Sequence, residues 1–358
     1  MWDALKTWCR RKFSDPNANT LLLLVIVGVL LIVFFGGLLA PILVAVALAY
    51  LLEWPVLRLM QVGIPRFSAV VITFTLFIGV AIALMLFLVP VVWQQSVNLI
   101  AELPDMFADL QVWLHKLPEM FPGFVDQGQI NELLLAVKRR VMGLGEGILK
   151  SSLSSLVSVM ALLVYLIVVP LLLFFMLKDR AVLLRHMSYL LPKNRQLIAQ
   201  VGSEMNIQIM NYIRGKALEV AVVGVATFIV LISFDLRYAA LLSVLVGLSV
   251  LIPYIGAAVV TLPVVLVALF QFGLTSDFVY VVLAYLVVQA LDGNLLVPLL
   301  FSEAVNLNPV YIIAAVILFG GIWGFWGVFF AIPLASLVKA IITAWAGRAL
   351  PVDSGAVN

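Results

Sequence analysis

Two stretches of this chain carry no charge at all, and each is longer than one ordinary membrane span: residues 238–276 and residues 304–338. Between them lie two further uncharged runs, 278–291 and 293–302, separated by a single acid, Asp292. A soluble fold cannot absorb such a pattern, because roughly half of any folded surface must face its solvent. The composition points the same way. The 358 residues are 65% hydrophobic and 11% charged, with a mean hydropathy of +1.20, whereas soluble domains carry about 25% charge. For most of the chain the solvent is therefore lipid. At roughly 20 apolar residues per span there is room for about eight to ten crossings, which predicts an all-α, polytopic integral membrane protein.

The charges that remain cluster in loops, where they report topology. Net charge is +3, and no basic stripe interleaved with aromatics suggests nucleic acid. The basic N-terminus, residues 1–19 with Lys6, Arg10, Arg11 and Lys12, reads as a cytoplasmic anchor rather than a twin-arginine signal, since no cleavage site follows. Spans are expected at about 20–37, 40–60 and 67–93, which together form the region 20–93, with an uncharged turn outside at 36–41 and Arg58 and Arg66 inside. Residues 94–151 should form a periplasmic insert of two amphipathic helices, one carrying Leu103, Met106, Leu110 and Leu114, the other 130–144, joined by the breaker at 122–128. Span four covers 152–177. Residues 178–215, rich in Lys and Arg, should be cytoplasmic and contain a helix near 195–213. A span at about 216–234 then opens a C-terminal core, 216–346, followed by a tail at 347–358. The two long runs each contain breakers, "LIPYIGAAVVTLP" at 251–263 and "GGIWGFWGVFFAIP" at 320–333. In both, a glycine precedes a proline by six or seven positions (Gly256 to Pro263, Gly327 to Pro333), consistent with a weak repeat of broken or re-entrant helices. Each run is then either a helix plus a re-entrant hairpin, giving eight crossings, or two crossings, giving ten.

Several chemistries are excluded. The nearest approach to a phosphate-binding loop, "GLGEGILKSS" at 143–152, lacks a lysine directly after its last glycine, so no ATP-driven step is expected. Neither H-E-x-x-H nor G-x-S-x-G is present, and the apolar spans place no base near their serines, so no enzyme is expected. The single cysteine, Cys9, and the two histidines, His115 and His186, have no metal-ligand spacing, so neither metal nor cofactor is expected.

Asp292 stands out. A carboxylate at bilayer depth costs several kcal/mol unless paired, protonated or wetted. Gly293 lowers helix propensity and Pro298 removes a backbone donor. Together they predict a discontinuous helix. Asp292, Asn294 and Gln289 would line a solute or ion pathway, or Asp292 would only cap a half-helix. Glu303 and Asn306 continue the polar stretch; if Glu303 faced the same cavity as Asp292, the two would form a cation or proton site. Gly320, Gly321, Gly324 and Gly327, flanked by Trp323 and Trp326, suggest a close helix approach or hinge.

The segments "NYIRGKALEV" (211–220), "LIPYIGAAVVTLP" (251–263), "QALDGNLLVP" (289–298), "NLNP" (306–309) and "WGFWGVFFAIPL" (323–334) resemble those of the autoinducer-two exporter family of membrane transporters. The resemblance spans residues 1 to about 346. It implies an inner-membrane permease of about eight spans acting without ATP, with both termini cytoplasmic. It also implies a ring-like homo-oligomer, a pentamer, with functional or packing roles for Pro253, Gly256, Asp292, Pro298, Pro309, Gly320, Gly321, Gly324, Gly327 and Pro333. Family members are linked to export of a small quorum-sensing signal or to sodium(lithium)/proton antiport. This chain departs from the pattern at Ser302, Glu303 and Asn308. Three readings stay open: a permease exporting a small polar solute, a cation/proton antiporter using Asp292 and Glu303, and a non-transporting scaffold that recruits partners through 103–144.

Overall fold

The computed structural model describes residues 16–114, 156–189, 196–253, 255–301 and 307–346. Among these the chain is helical, with no strand. In chain order the elements are α1 (Pro16–Gln61), α2 (Arg66–Leu114), α3 (Leu156–Lys178), α4 (Arg180–Tyr189), α5 (Gln196–Ser233), α6 (Ala239–Ser249), α7 (Ile255–Phe272), α8 (Ser276–Leu291), a π turn (Asp292–Leu296), α9 (Val297–Phe301), α10 (Pro309–Phe329) and α11 (Ala331–Ala346). Six helical stretches among the described residues are long and apolar enough to cross a bilayer: Phe34–Gln61, Arg66–Met106, Val201–Ser233, Ile255–Phe272, Ser276–Phe301 and Pro309–Phe329. Shorter apolar helices accompany them. Large apolar side chains such as Phe34, Leu38, Phe87 and Leu299 stand about three-quarters exposed, the arrangement expected of a surface solvated by hydrocarbon chains. The molecule is an all-α, polytopic membrane protein.

Three expected boundaries are absent. Residues 36–41 form no turn: α1 runs unbroken through Gly36, Gly37 and Pro41. No polar group there competes for the backbone, and a membrane helix tolerates proline where its neighbours accommodate the freed carbonyl. The assignment of both ends of 1–66 to one side depended on that turn. Nor does the helix after the third expected span stop at 93. It continues as α2 to Leu114, through Pro104, and Met106 packs into the apolar core beside Leu236, Tyr238 and Leu241. The second amphipathic helix expected at 130–144 lies outside the described residues. Finally, the helix near 195–213 and the span at 216–234 are one element, α5, so Lys216 sits inside a helix rather than at a loop end.

The two long uncharged runs fold as helical hairpins. In the first, α6 has 11 residues, too few to cross, and α7 has 18. Pro253 cannot donate a ladder hydrogen bond, and the turn between them is closed by Ile252 N–H to Ser249 O (2.9 Å) and Gly256 N–H to Ile252 O (2.9 Å). A Cβ on Gly256 would lie 1.8 Å from Ser249 O, so only glycine lets the returning helix start there. In the second, Gly324 adopts φ 61°, ψ −137°, a region essentially closed to residues with a Cβ. The chain folds back at this point, bringing Gly327 against the end of the outgoing arm: a Cβ on Gly327 would lie 1.8 Å from Phe319 O. Both hairpins thus use one close-approach glycine followed by a proline inside the returning helix, Pro263 in α7 and Pro333 in α11.

Hydrogen bonds fix the relative depth of these parts. One end of the bundle is marked by buried Glu53, which accepts from Arg66 (3.2 Å) and Arg180 (3.0 Å), while Arg66 also donates to Leu177 O. Next to it Tyr50 Oη donates to Asn206 (2.8 Å). The other end is marked by Arg237, paired with Glu102 at 3.5 Å, and by Gln271, which donates to Asp235 O. Helix α5 joins the two ends. The first hairpin descends from the Arg237 end. The second is held at Tyr212, whose hydroxyl donates to Phe329 O (2.8 Å), and extends toward Gly36, where a Cβ would lie 2.2 Å from Trp323 Nε1. Counted from the Tyr50–Asn206 bond at 1.5 Å per residue, Tyr212 is about 9 Å and Gly36 about 21 Å further from the Glu53 end. The hairpins therefore enter from opposite ends and each turns back inside the bundle, the first at Lys216 of α5 and the second at Gly36 of α1.

Candidate functional site

Between the turn of the first hairpin and the arms of the second, the bundle forms a cavity of about 240 Å³. Helix α5 contributes Lys216 and Glu219. The first hairpin contributes Val250, Ile252, Pro253 and Ala257. The α8–α9 segment contributes Gln289, Asp292, Gly293, Val297 and Phe301, and the second hairpin Ile312 and Ile332. Lys216 is about 15 Å along α5 from Asn206 and about 25 Å from Ser233, which places the cavity near the middle of the bundle.

The polar core of the cavity is built from three buried ionisable groups. Lys216 (5% exposed) and Glu219 (2% exposed) lie one helical turn apart on α5. Their spacing, i to i+3, puts them on one face, and Nζ approaches the Glu219 carboxylate to 2.7 Å. The same ammonium donates to Val250 O at 2.8 Å, in the turn of the first hairpin, and lies 5.2 Å from the ring centre of Phe301. Lys216 thereby ties α5, the hairpin turn and α9 together. Gly215 makes the approach of α9 possible: a Cβ there would lie 2.6 Å from the Phe301 ring.

Asp292 is 8% exposed and faces the same cavity. Its Oδ1 has no hydrogen-bond partner among the described residues. The helix does not break at this residue, as the sequence had suggested. Asp292 has ordinary helical torsions (φ −59°, ψ −59°) and opens a π turn, Asp292–Leu296, closed by Val297 N–H to Asp292 O. Nor is Asp292 an N-cap: Leu291 holds that position, and Asp292 Oδ1 accepts no hydrogen bond among the described residues. Pro298, just past the turn, offers no N–H to the preceding ladder, and one wider turn absorbs the mismatch without interrupting the helix. Such π bulges often accompany functional sites because they re-aim side chains.

The other expected pathway residues divide. Gln289 lines the cavity and donates to Tyr285 Oη (2.8 Å), which in turn lies 3.0 Å from Thr261 Oγ1 of α7. A hydrogen-bonded chain thus runs from the cavity to the returning arm of the first hairpin. Asn294 does not face the cavity. It is exposed and donates back to Ala290 O (2.8 Å) on its own helix. Glu303 and Asn306 lie outside the described residues. Among the glycines, Gly256 and Gly327 sit at close backbone approaches and Gly320 lies against the Val328 side chain, whereas Gly321 has open space around it. Trp323 and Trp326 both stack near Phe330.

Lys216 and Glu219, the best-buried charges of the site, were not singled out from the sequence. Positive-inside counting had placed Lys216 at the end of a cytoplasmic loop. The signal was present nonetheless, as opposite charges at i, i+3 inside the 33-residue apolar stretch Val201–Ser233.

Comparison with known proteins gives a consistent picture. The model of a family described as "AI-2E family transporter" matches residues 21–347. An Escherichia coli (strain K12) protein named "Putative permease PerM" is 52% identical over 96% of this chain and 98% of its own length. Bacillus subtilis (strain 168) "Putative transport protein YueF" is 30% identical over 86% of this chain and 84% of its own length. "Putative transport protein YrrI" of the same organism is 26% identical, covering 84% and 85%.

Proposed function

We propose, from the premise that this chain belongs to the AI-2E transporter family, that it is a permease whose pathway for a small polar solute runs through the cavity around Asp292, and that it works without ATP hydrolysis. The observation that carries this reading is Asp292 itself. It is a carboxylate buried at mid-depth, with Oδ1 unpartnered among the described residues, facing a cavity lined by the turn of one hairpin and the arms of a second, oppositely directed one. A purely structural acid at that depth would be paired or capped. Half-depth sites between discontinuous helical elements are where secondary transporters hold cargo. Movement of the first hairpin would open the cavity toward the Arg237 end, and movement of the second toward the Glu53 end. We place the Glu53 end in the cytoplasm because Arg58, Arg66, Lys178, Arg180 and Arg185 gather there. The protein then resides in the inner membrane and exports its solute as a homo-oligomer.

Cation/proton antiport is the second reading. Glu219 supplies the second carboxylate that the sequence had sought in Glu303, and it shares the cavity with Asp292. Purified protein in vesicles loaded with a metabolite mixture, read by mass spectrometry, tests the main proposal. Wild type should release a defined solute without ATP, and Asp292→Asn should not, while assembling normally. Equal release by both would remove Asp292 from the pathway. Proton release on addition of sodium, with no organic solute moving, would favour antiport.

A further inference from the structure

We infer that the cavity at Asp292 binds a small organic amine in its protonated form, with the ammonium on the Asp292 carboxylate and the apolar remainder between the two hairpins. This deepens the permease reading and rests on it for the claim that the bound amine is cargo.

Charge is the first argument. Lys216 is already engaged by Glu219 (2.7 Å) and Val250 O (2.8 Å), so one carboxylate of the cavity is neutralised from within. Asp292 is not. Among the described residues it makes no ion pair within 4.0 Å and its Oδ1 accepts nothing, although it is more than nine-tenths buried. With Asp292 ionised, the site carries one negative charge beyond the Lys216–Glu219 pair, which favours a monovalent cation and disfavours an anion.

The lining decides what kind of cation. A bare metal ion needs several oxygen ligands. Here Val250 O is taken by Lys216, and the described residues contain no group of three or more His, Cys, Asp or Glu that could hold a metal. Apart from Gln289, whose Nε2 donates to Tyr285, the remaining walls include the aliphatic side chains of Ile252, Val297, Ile312 and Ile332. They suit a hydrocarbon body and leave the ammonium to the Asp292 carboxylate and the Gln289 amide oxygen. Gly293 beside it has nothing within 4 Å of where a Cβ would stand, which leaves room at the carboxylate. The volume, about 240 Å³, lies just below the roughly 300–1,000 Å³ of pockets for drug-sized ligands, the scale of a small metabolite.

The test is calorimetric titration of the purified full-length chain with n-propylammonium, n-propanol and sodium, on wild type, Asp292→Asn and Asp292→Glu. Propylammonium should bind saturably, propanol at least about tenfold more weakly, and sodium should not displace the amine. Asp292→Asn should lose amine binding, while Asp292→Glu keeps it. If Asp292→Asn does not fold, the wild-type series and Asp292→Glu still decide. Equal binding of propanol and amine, displacement by sodium, absence of amine binding, or unchanged binding by Asp292→Asn would each overturn the inference. Vesicle efflux separates the two levels. If a solute moves but carries no amine, this inference fails and the permease reading stands. If no solute moves, the permease reading fails, and with it the role of the amine as cargo.

Discussion

Replacing Lys216 by methionine removes a buried ammonium while keeping most of its volume, and the structure sets the size of the effect. Glu219, 2% exposed, would lose a partner at 2.7 Å, and Val250 O in the hairpin turn would lose its donor at 2.8 Å. Removing one partner of a buried pair costs about 3–5 kcal/mol, because the remaining charge is left in a medium that cannot solvate it. Replacing both partners by apolar groups of similar volume is close to neutral for the pair itself. In Lys216→Met/Glu219→Met only the orphaned Val250 carbonyl then remains, at about 1–3 kcal/mol. The double variant should therefore be more stable than either single variant, with a coupling energy of at least about 2 kcal/mol. The assay is reversible unfolding in mixed detergent micelles, completed as a double-mutant cycle. If the singles each cost less than about 1 kcal/mol and add to the double within about 0.5 kcal/mol, then Lys216 and Glu219 are solvated independently and the buried ion pair described above does not exist in the protein.

Other consequences follow from the hairpins. Gly324→Ala should destabilise by about 1–3 kcal/mol, because φ 61°, ψ −137° is closed to alanine. Gly321→Ala, with open space around it, should be neutral or stabilise by up to about 1 kcal/mol, since alanine is the better helix former; equal melting shifts in the two variants would contradict the fold-back at Gly324. Tyr212→Phe removes the 2.8 Å bond to Phe329 O and should cost about 0.5–1.5 kcal/mol. Faster amide exchange should then be confined to residues around 329; unchanged exchange there would mean that Tyr212 does not hold the second hairpin.

How much of this was legible in the sequence depended on the kind of signal. Membrane residence followed from the uncharged runs alone, because no soluble surface could be made from them. The place of Asp292 within an apolar span, and the breakers at 251–263 and 320–333, were likewise readable, since proline and glycine act locally on backbone geometry. Helix continuity was not. Nothing in 36–41 distinguishes a turn in water from helix carried on through lipid, where Gly36, Gly37 and Pro41 lose much of their breaking power. The same ambiguity turned the segment before Lys216 into a loop. The form of the Asp292 irregularity was also hidden, because a break, a cap and a π turn are all compatible with Gly293 and Pro298. The pairing of Lys216 with Glu219 was open to helical spacing, but their meeting with Asp292 was not. That depends on α5 and α8 crossing at one depth, set by close approaches such as Gly215 to Phe301.

The central claim is that cargo passes through the cavity at Asp292, between the two hairpins. The chain's only cysteine is Cys9, so a cysteine-free background needs one change. In it, Ala257→Cys places a thiol in the cavity wall, and Phe87→Cys places one on the exposed face of α2. Solute efflux from vesicles is measured before and after reaction with a small polar thiol reagent, with labelling quantified by mass spectrometry. Modification of Ala257→Cys should stop efflux, and excess solute should protect it, while Phe87→Cys, facing lipid, should stay unlabelled by the polar reagent and continue to transport. Full labelling of Ala257→Cys with unchanged efflux would contradict the account, because the solute would then be taking another route.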